Sequence, residues 1–318
     1  MDGIMKIAIT GGSGFIATRL IEELKSAGHE IVIIDIAHDA PVDILHQDKL
    51  NAACAGCDAI YHLAAAHRDD VFPRSEYYEV NGIGTENVTK AATVNNIKKI
   101  IFTSTVAVYA MNSHYADEKT KVDPFNDYGK SKLEAEEHLK KWASDSSDNS
   151  TTIIRPVVVF GENNRGNVYN LIDQITRGKF FMIGSGQNKK SMAYVGNVAA
   201  FLMSRLASTD NIELFNYADK PDFMMQELTD VIYHGLNKRK PSLNIPYFIG
   251  MMAGGVFDML AKITRTTFPI SIIRIQKFCA DTTVNADKAH GTGFKTKFTL
   301  GDGVTRMINH DFKDHIQK

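Results

Sequence analysis

The chain has 318 residues, 44% of them apolar, with 36 Lys and Arg against 37 Asp and Glu, for a formal charge of -1. That length and apolar share can bury a sizeable core, and the balanced charge excludes both the basic field of a nucleic-acid binder and an acidic tail, so any anionic ligand must be met locally. Three cysteines are too few for a disulfide framework, and no uncharged run reaches the roughly 20 residues of a membrane-spanning helix.

In chain order, "KIAIT" (Lys6–Thr10) predicts a buried strand that runs into Gly11, Gly12 and Gly14. Asp2 and this glycine cluster interrupt any leader-peptide pattern, and a cytoplasmic protein is expected. A helix over 14–27 follows, with Phe15, Ile16, Leu20, Ile21 and Leu24 at helical spacing, and "GHEIVIID" is a second strand ending in Asp35. Cys54 and Cys57 form a C-x-x-C with no second pair of zinc ligands, and are expected to fill a turn before a third strand, "AIYHLAA". A helix over 75–94 leads to a strand over 100–104, a helix over 128–143 to a polar loop, and "TTIIRPVVVFG" is a further strand stopped at Pro156. Strand–helix alternation with continuous Val/Ile runs predicts an α/β fold with a doubly wound parallel sheet covered on both faces. Beyond Gly161 prolines, methionine clusters and shorter helices loosen the pattern. A first domain over 1–160, with returning segments near 191–218, and a smaller, interleaved C-terminal lobe over 161–318 are expected. The longest uncharged run, Ser242 to Phe257, is broken by Pro246 and three glycines. It is expected as a core or second-lobe helix, with peripheral membrane contact left open.

The glycines set a chemical expectation. In Gly11-x-x-Gly14-x-x-Ala17 the first glycine permits a tight strand-to-helix turn, and the second lets a pyrophosphate approach a helix N-terminus. Phe15 and Ile16 open that helix. Asp35 stands 21 residues after Gly14, where a carboxylate accepts hydrogen bonds from an adenosine ribose diol and repels a 2′-phosphate. NAD is therefore expected rather than NADP. Asp43 and Ile44 are weaker candidates to clamp the adenine.

A second constellation lies further on. Tyr128 and Lys132 are four residues apart in "DYGKSKLEAEEHL" and share one helix face. An ammonium one turn away, with the positive charge of an oxidised nicotinamide, would stabilise the phenolate and lower a pKa that is otherwise near 10. Thr103, Ser104 and Thr105 end a strand, and in such sheets ligands sit beyond the carboxyl ends of strands. No histidine spacing proposes a metal.

"TGGSGFIA", "YHLAAA", "YYEVNGIGTENV", "FTSTVAVYA", "YGKSK", "IIRPVVVFG", "IGSGQNKKSMAYVGNVAAF" and "GFKTKFTLGDGV" occur in this order along nearly the whole chain. Together they resemble the extended short-chain dehydrogenase/reductase family, in its nucleotide-sugar epimerase/dehydratase branch. The resemblance implies a Rossmann domain for NAD and a C-terminal lobe for a nucleotide-sugar, in a protein that is commonly a homodimer. It implies Tyr128 as acid/base, Lys132 as its partner, and Thr105, with Ser104 one place before, as the active-site hydroxyl. Leu63, Ala64 and Ala65 would line the cofactor groove and Pro156 would abut the nicotinamide. Asn81, at the family's Asn, and Val158, where many sugar epimerases carry an Asn, would fall on the substrate side, and Lys190 would stand where many relatives carry an Arg for the substrate diphosphate, while Asn167, in the amide-dense run "ENNRGNVYN", is a candidate for uridine or phosphate.

The departures narrow the reaction. Sugar dehydratases of the family follow the hydroxyl residue with Asp-Glu; here Val106 and Ala107 follow Thr105 and cannot transfer a proton. A 4-epimerase or a 4-ketosugar reductase is expected, both using the same residues. The apolar Ile245–Phe257 stretch motivates a hydroxysteroid-type dehydrogenase as an alternative, against which Lys190 argues. A non-catalytic NAD-sensing protein commonly lacks the Tyr or the Lys, and this chain keeps both.

Overall fold

A computed structural model describes residues 3–68, 70–111, 113, 115–264, 266 and 271–316. In chain order the elements are β1 (Lys6–Thr10), α1 (Phe15–Ser26), β2 (Glu30–Ile34), α2 (Gln47–Ala53), β3 (Ala59–His62), α3 (Ser75–Tyr77) continuing through a π-helical turn (Tyr78–Ile83) into α4 (Gly84–Val94), β4 (Lys99–Thr103), α5 (Asp127–Ser144), β5 (Ser150–Pro156) and β6 (Val158–Phe160). They continue with α6 (Asn167–Thr176), β7 (Lys189–Tyr194), α7 (Val195–Ser204), β8 (Ile212–Tyr217), β9 (Asp219–Met224), α8 (Met225–Gly235), α9 (Tyr247–Thr264), α10 (Ile272–Cys279), α11 (Asp287–His290) and α12 (Leu300–Asp311).

The chain divides into two compact units. The first comprises Met1–Val159, Ala193–Ala218 and Val284–Lys297. Its sheet has the order β2-β1-β3-β4-β5-β8, and every pairing is parallel. Because side chains alternate along a strand, each strand feeds two cores. Ile7, Ile9, Tyr61, Ile101 and Ile154 pack with Leu20 and Leu24 of α1 and with Phe201 of α7. Ala8, Ile60, Ile100, Phe102 and Ile153 pack on the other side with Leu50, Val88, Ala135 and Leu139 from α2, α4 and α5. Each fully buried Leu, Ile or Phe is worth about 1.5–3 kcal/mol. The sheet is thus covered on both faces, and strand order reverses at β1, between β2 and β3. In open parallel sheets the crevice beyond the strands' carboxyl ends at that point receives ligands.

Cys54 and Cys57 are buried free thiols in the second of these cores, as the packed-turn expectation requires. Burial, with Cys57 alongside, pushes the Cys54 thiol up to about 12, which leaves it unreactive.

The second unit comprises Phe160–Met192, Asp219–Thr283 and Phe298–Lys318. Here β7 pairs antiparallel with β9, and α8 packs on α12, where Gly235 leaves room for Ile308. Ser242–Phe257, expected as a core or second-lobe helix, enters α9 in this unit, but α9 is not a core helix: Phe248, Met252, Val256 and Met259 are exposed. Gly250 and Gly254 face the protein, with Met251 and Phe257 partly buried beside them. No described helix is long and apolar enough to cross a membrane.

Candidate active site

The glycine turn follows β1 directly. Gly11 has φ +68°, and a Cβ on it would stand 2.6 Å from the Ala64 backbone nitrogen. The turn therefore lies against the backbone that follows β3. Gly14 caps α1 with an extended backbone, and a Cβ there would meet the Gly11 carbonyl at 3.0 Å. The absent Cβ atoms leave a cradle at the N-terminus of a twelve-residue helix, where first-turn N–H groups lack intrahelical partners. Asp35 braces it: its carboxylate accepts from the Ser13 and Ala37 backbone N–H groups at 3.0 and 2.8 Å. This donor set fits a dinucleotide diphosphate. Gly11→Val should weaken NAD binding by tenfold or more, because both the left-handed backbone and the Ala64 contact oppose it. Gly56→Ala shares a positive φ (+70°) but meets no atom within 4 Å, and is the control for the backbone effect alone. Fluorescence titration with NAD checks both; equal affinities for the two variants would remove the cradle.

The adenine candidates separate. Ile44 is buried in the core, its carbonyl held by the Asn87 amide, and its side chain fills the space over Gly84. Asp43 is half-buried and accepts from the Leu45 N–H at 2.9 Å, shaping its own turn.

The end of β3 carries a hydrogen-bonded chain that the sequence reading did not anticipate. Thr85 donates to the Asn81 carbonyl, so its oxygen accepts from His62 Nε2, 2.9 Å away. His62 Nδ1 then accepts from the Thr10 hydroxyl at 2.6 Å, and Thr10 in turn accepts from the Ala64 N–H at 3.3 Å. Every proton in this chain is accounted for with His62 neutral. Burial, with the Lys132 charge nearby, lowers the His62 pKa to about 3. The chain thereby joins the ends of β1 and β3 to the π-helical turn, beside Leu63, Ala64 and Ala65.

Tyr128 lies in the first turn of α5, whose start is fixed by Asn126 accepting from the Gly129 N–H at 2.8 Å. A Cβ on Gly129 would run into the Ala107 carbonyl, so this glycine lets α5 close on the segment after β4. Tyr128 is thereby brought near Thr105, whose side chain acts to lower its pKa, with the Tyr77 ring 6.3 Å from the Tyr128 ring. The phenolate expectation needs correction for the protein without its cofactor. Burial raises the Tyr128 pKa, the Thr105 side chain opposes this only in part, and Tyr77 adds to it. Lys132 acts on His62 instead. Lys132 itself is buried under the Phe102 ring, 4.0 Å from its centroid, and no described residue accepts a hydrogen bond from it. Burial, partly offset by Glu136, lowers its pKa to about 7.

Ser104 and Thr105 have different neighbours on α5. Ser104 donates to Glu136 Oε1 at 2.6 Å, so Thr105 alone of the two meets Tyr128. Glu136 is also held bidentately by Arg155, at 2.8 and 2.6 Å. Arg155 donates to Tyr109 at 2.9 Å, and Tyr109 to Asn216 at 2.8 Å. The cluster is fully buried. Glu136 follows Lys132 by four residues, and that spacing was the available signal.

Asn81, expected on the substrate side, is buried and spends its amide on the Ala66 backbone (2.9 and 3.0 Å) and on Ser131 (2.9 Å). That geometry braces the loop after β3 against α5. Pro156 ends β5 and is buried, while Val158 is exposed in β6. In the second unit Asn167 is exposed at the start of α6. Lys190, expected at a diphosphate, donates to the Lys277 and Ala280 carbonyls at 2.8 and 2.6 Å, closing the C-terminus of α10. No group of three or more metal-ligating side chains occurs among the described residues.

A family model described as the NAD dependent epimerase/dehydratase family matches residues 7–217. The chain is 47% identical over 315 residues to the Escherichia coli O157:H7 N-acetyl-alpha-D-glucosaminyl-diphospho-ditrans,octacis-undecaprenol 4-epimerase, covering 96% of this chain and 95% of that protein. It is 28% identical over 329 residues to a Vibrio cholerae UDP-glucose 4-epimerase, covering 98% and 94%. The crystal structure of a Bacillus cereus UDP-glucuronic acid 4-epimerase in complex with NAD superposes with a TM-score of 0.75 at 20% identity, covering 98% of this chain and 100% of that one. The chain belongs to the NAD-dependent epimerase/dehydratase family and is an enzyme of the extended short-chain dehydrogenase/reductase type, with NAD as its cofactor.

Proposed function

We propose that this enzyme is a 4-epimerase of an N-acetylhexosamine carried on a polyprenyl lipid through a diphosphate. The observation that carries the reading is near-half identity, over almost the whole of both chains, to the E. coli protein named for that activity. Val106 and Ala107 after Thr105 support it by supplying no acid or base for water elimination. A nucleotide-sugar 4-epimerase is the second reading, favoured by the weaker but equally extensive likeness to the UDP-glucose enzyme.

In this reading Tyr128 takes the proton of the sugar 4-hydroxyl and later returns it, while Thr105 hydrogen-bonds the same oxygen and fixes its distance from the phenol. When bound, NAD would supply a hydride acceptor for the sugar C4 and a positive ring charge that favours the phenolate form of the buried Tyr128. Lys132 donates to the cofactor ribose. Gly11, Gly14, Phe15 and Ile16 receive the diphosphate, and Asp35 the adenosine ribose. Leu63, Ala64, Ala65 and Pro156 form the apolar wall. Since the hydride removed from C4 would be returned to it within one turnover, the reaction is redox-neutral, which separates it from a ketosugar reductase.

The test offers NAD-loaded enzyme N-acetylglucosamine diphosphate on a short prenyl chain and, separately, UDP-N-acetylglucosamine. Released sugars are resolved by chromatography after mild acid. Formation of N-acetylgalactosamine from the prenyl substrate is expected, with Tyr128→Phe slower by about 10²–10⁴-fold. Turnover of the UDP-sugar alone would transfer the assignment to the second reading. Unchanged turnover by Tyr128→Phe would remove the acid/base role.

A further inference from the structure

α9 inverts the usual pattern of a surface helix, in which the apolar stripe faces the core. Gly250 and Gly254 face the protein: Cβ atoms there would stand 2.7 Å from Ile183 Cγ2 and 3.0 Å from the Ile272 nitrogen. Met251 and Phe257 are partly buried, and the other large apolar residues form an outward stripe. Phe248, Met252, Val256 and Met259 follow one another at helical spacing and are 65%, 70%, 53% and 58% exposed. Ile249 and Leu260 widen the stripe, and Ile273 on α10 is exposed as well. Single exposed apolar side chains are ordinary, but a contiguous stripe of them marks an interaction surface.

The charge around the stripe says what covers it. From Lys238 to Asp281 the sequence carries seven Lys and Arg against two acidic residues, and Lys240 is paired with Asp230 at 2.5 Å, which leaves a cationic excess although the whole chain has a formal charge of -1. The exposed Arg239, Lys262, Arg274 and Lys277 are among the seven. Of the two acids, Asp258 accepts from the Ile272 N–H at 3.1 Å and is thus held against α10. An apolar stripe edged by cations, on a helix that does not meet the requirements for spanning, matches an element lying in the interface of an anionic bilayer.

We propose that α9, with the basic residues around it, docks this enzyme on the surface of an anionic membrane. The inference deepens the proposed function, from which it takes the membrane-borne substrate. The apolar side chains enter the headgroup boundary, and the Lys and Arg side chains meet lipid phosphates. Docking then holds the enzyme on the leaflet that carries its substrate.

The test is flotation of NAD-loaded enzyme with vesicles of phosphatidylglycerol and phosphatidylcholine in equal parts. Wild-type protein should float with these vesicles, less so at high salt, and should stay behind with phosphatidylcholine alone. The double variant Met252→Glu, Val256→Glu should bind about tenfold or more weakly. Arg274→Glu, Lys277→Glu should lose the preference for phosphatidylglycerol. Both should retain NAD and turn over a water-soluble short-prenyl substrate like the parent. Wild-type protein that turns over this substrate but ignores the vesicles overturns docking and leaves the proposed function intact. Protein that floats but uses only the UDP-sugar supports docking and overturns the proposed function. A wild-type dimer that Met252→Glu, Val256→Glu dissociates, with no flotation, makes the stripe a contact between copies of this chain and overturns the inference.

Discussion

Glu136→Gln lowers the stability of the fold by about 3–5 kcal/mol, the cost of leaving a buried charge without its counter-charge. Arg155 is 2% exposed and gives two short hydrogen bonds to the Glu136 carboxylate. Burial disfavours its positive charge, and Glu136 more than offsets this. A glutamine keeps the shape and one acceptor but removes the charge, and Ser104 is left donating to a neutral amide. Thermal unfolding followed by circular dichroism should show a loss of around ten degrees. The double variant Glu136→Gln, Arg155→Met should recover part of it, since replacing both partners of a buried pair costs less than orphaning one. A single variant within about 1 kcal/mol of the parent would mean that the pair is weak like an exposed bridge. The same substitution reaches the candidate active site. Glu136 raises the Lys132 pKa against burial, so its loss drives Lys132 further towards the neutral form.

What was legible in the sequence was what is local in the chain. The glycine turn, Asp35 at the end of β2, and the placing of Tyr128 and Lys132 on one helix each rest on spacing within one or two elements, and a strand–turn–helix converts spacing into geometry directly. The resemblance singled out Thr105, but that Ser104 is spent on Glu136 was not legible, because it depends on how the strand end meets α5. Asn81 matched a motif, but only tertiary structure shows that its amide is used on Ala66 and Ser131. The Glu136 cluster draws on β4, α5, β5 and β8, whose approach no local pattern records. The same holds for the third passage of the first unit, Val284–Lys297, where Ala286 and Ala289 pack into the core with Tyr217. The apolar stretch in α9 was visible, but its direction was not: apolar periodicity identifies a face without saying whether protein, lipid or another chain covers it.

Lys132→Met is expected to abolish most activity and, in the NAD-free enzyme, to raise the melting temperature. The unfolded chain titrates this lysine near 10.5 and the folded protein near 7, because burial penalises the ammonium. Below pH 7 both states are charged, and folding carries the whole penalty. Between pH 7 and 10.5 the unfolded state binds the proton that the folded state has shed, so stability rises with pH through this window. A fall from 10.5 to about 7 corresponds to about 5 kcal/mol at the acid end. Methionine fits an unbranched apolar slot under Phe102 and carries no such penalty, and Glu136 keeps Arg155 and Ser104. The gain of the variant over the parent should therefore be largest below pH 7 and shrink towards pH 10.5. Melting curves from pH 6 to 10 check this, and a gain that grows with pH would overturn it. Added NAD should reverse the order, raising the parent more than the variant, if the ammonium binds the ribose. A residue that lowers the stability of the empty enzyme and raises that of the loaded one is held for its chemistry rather than for the fold.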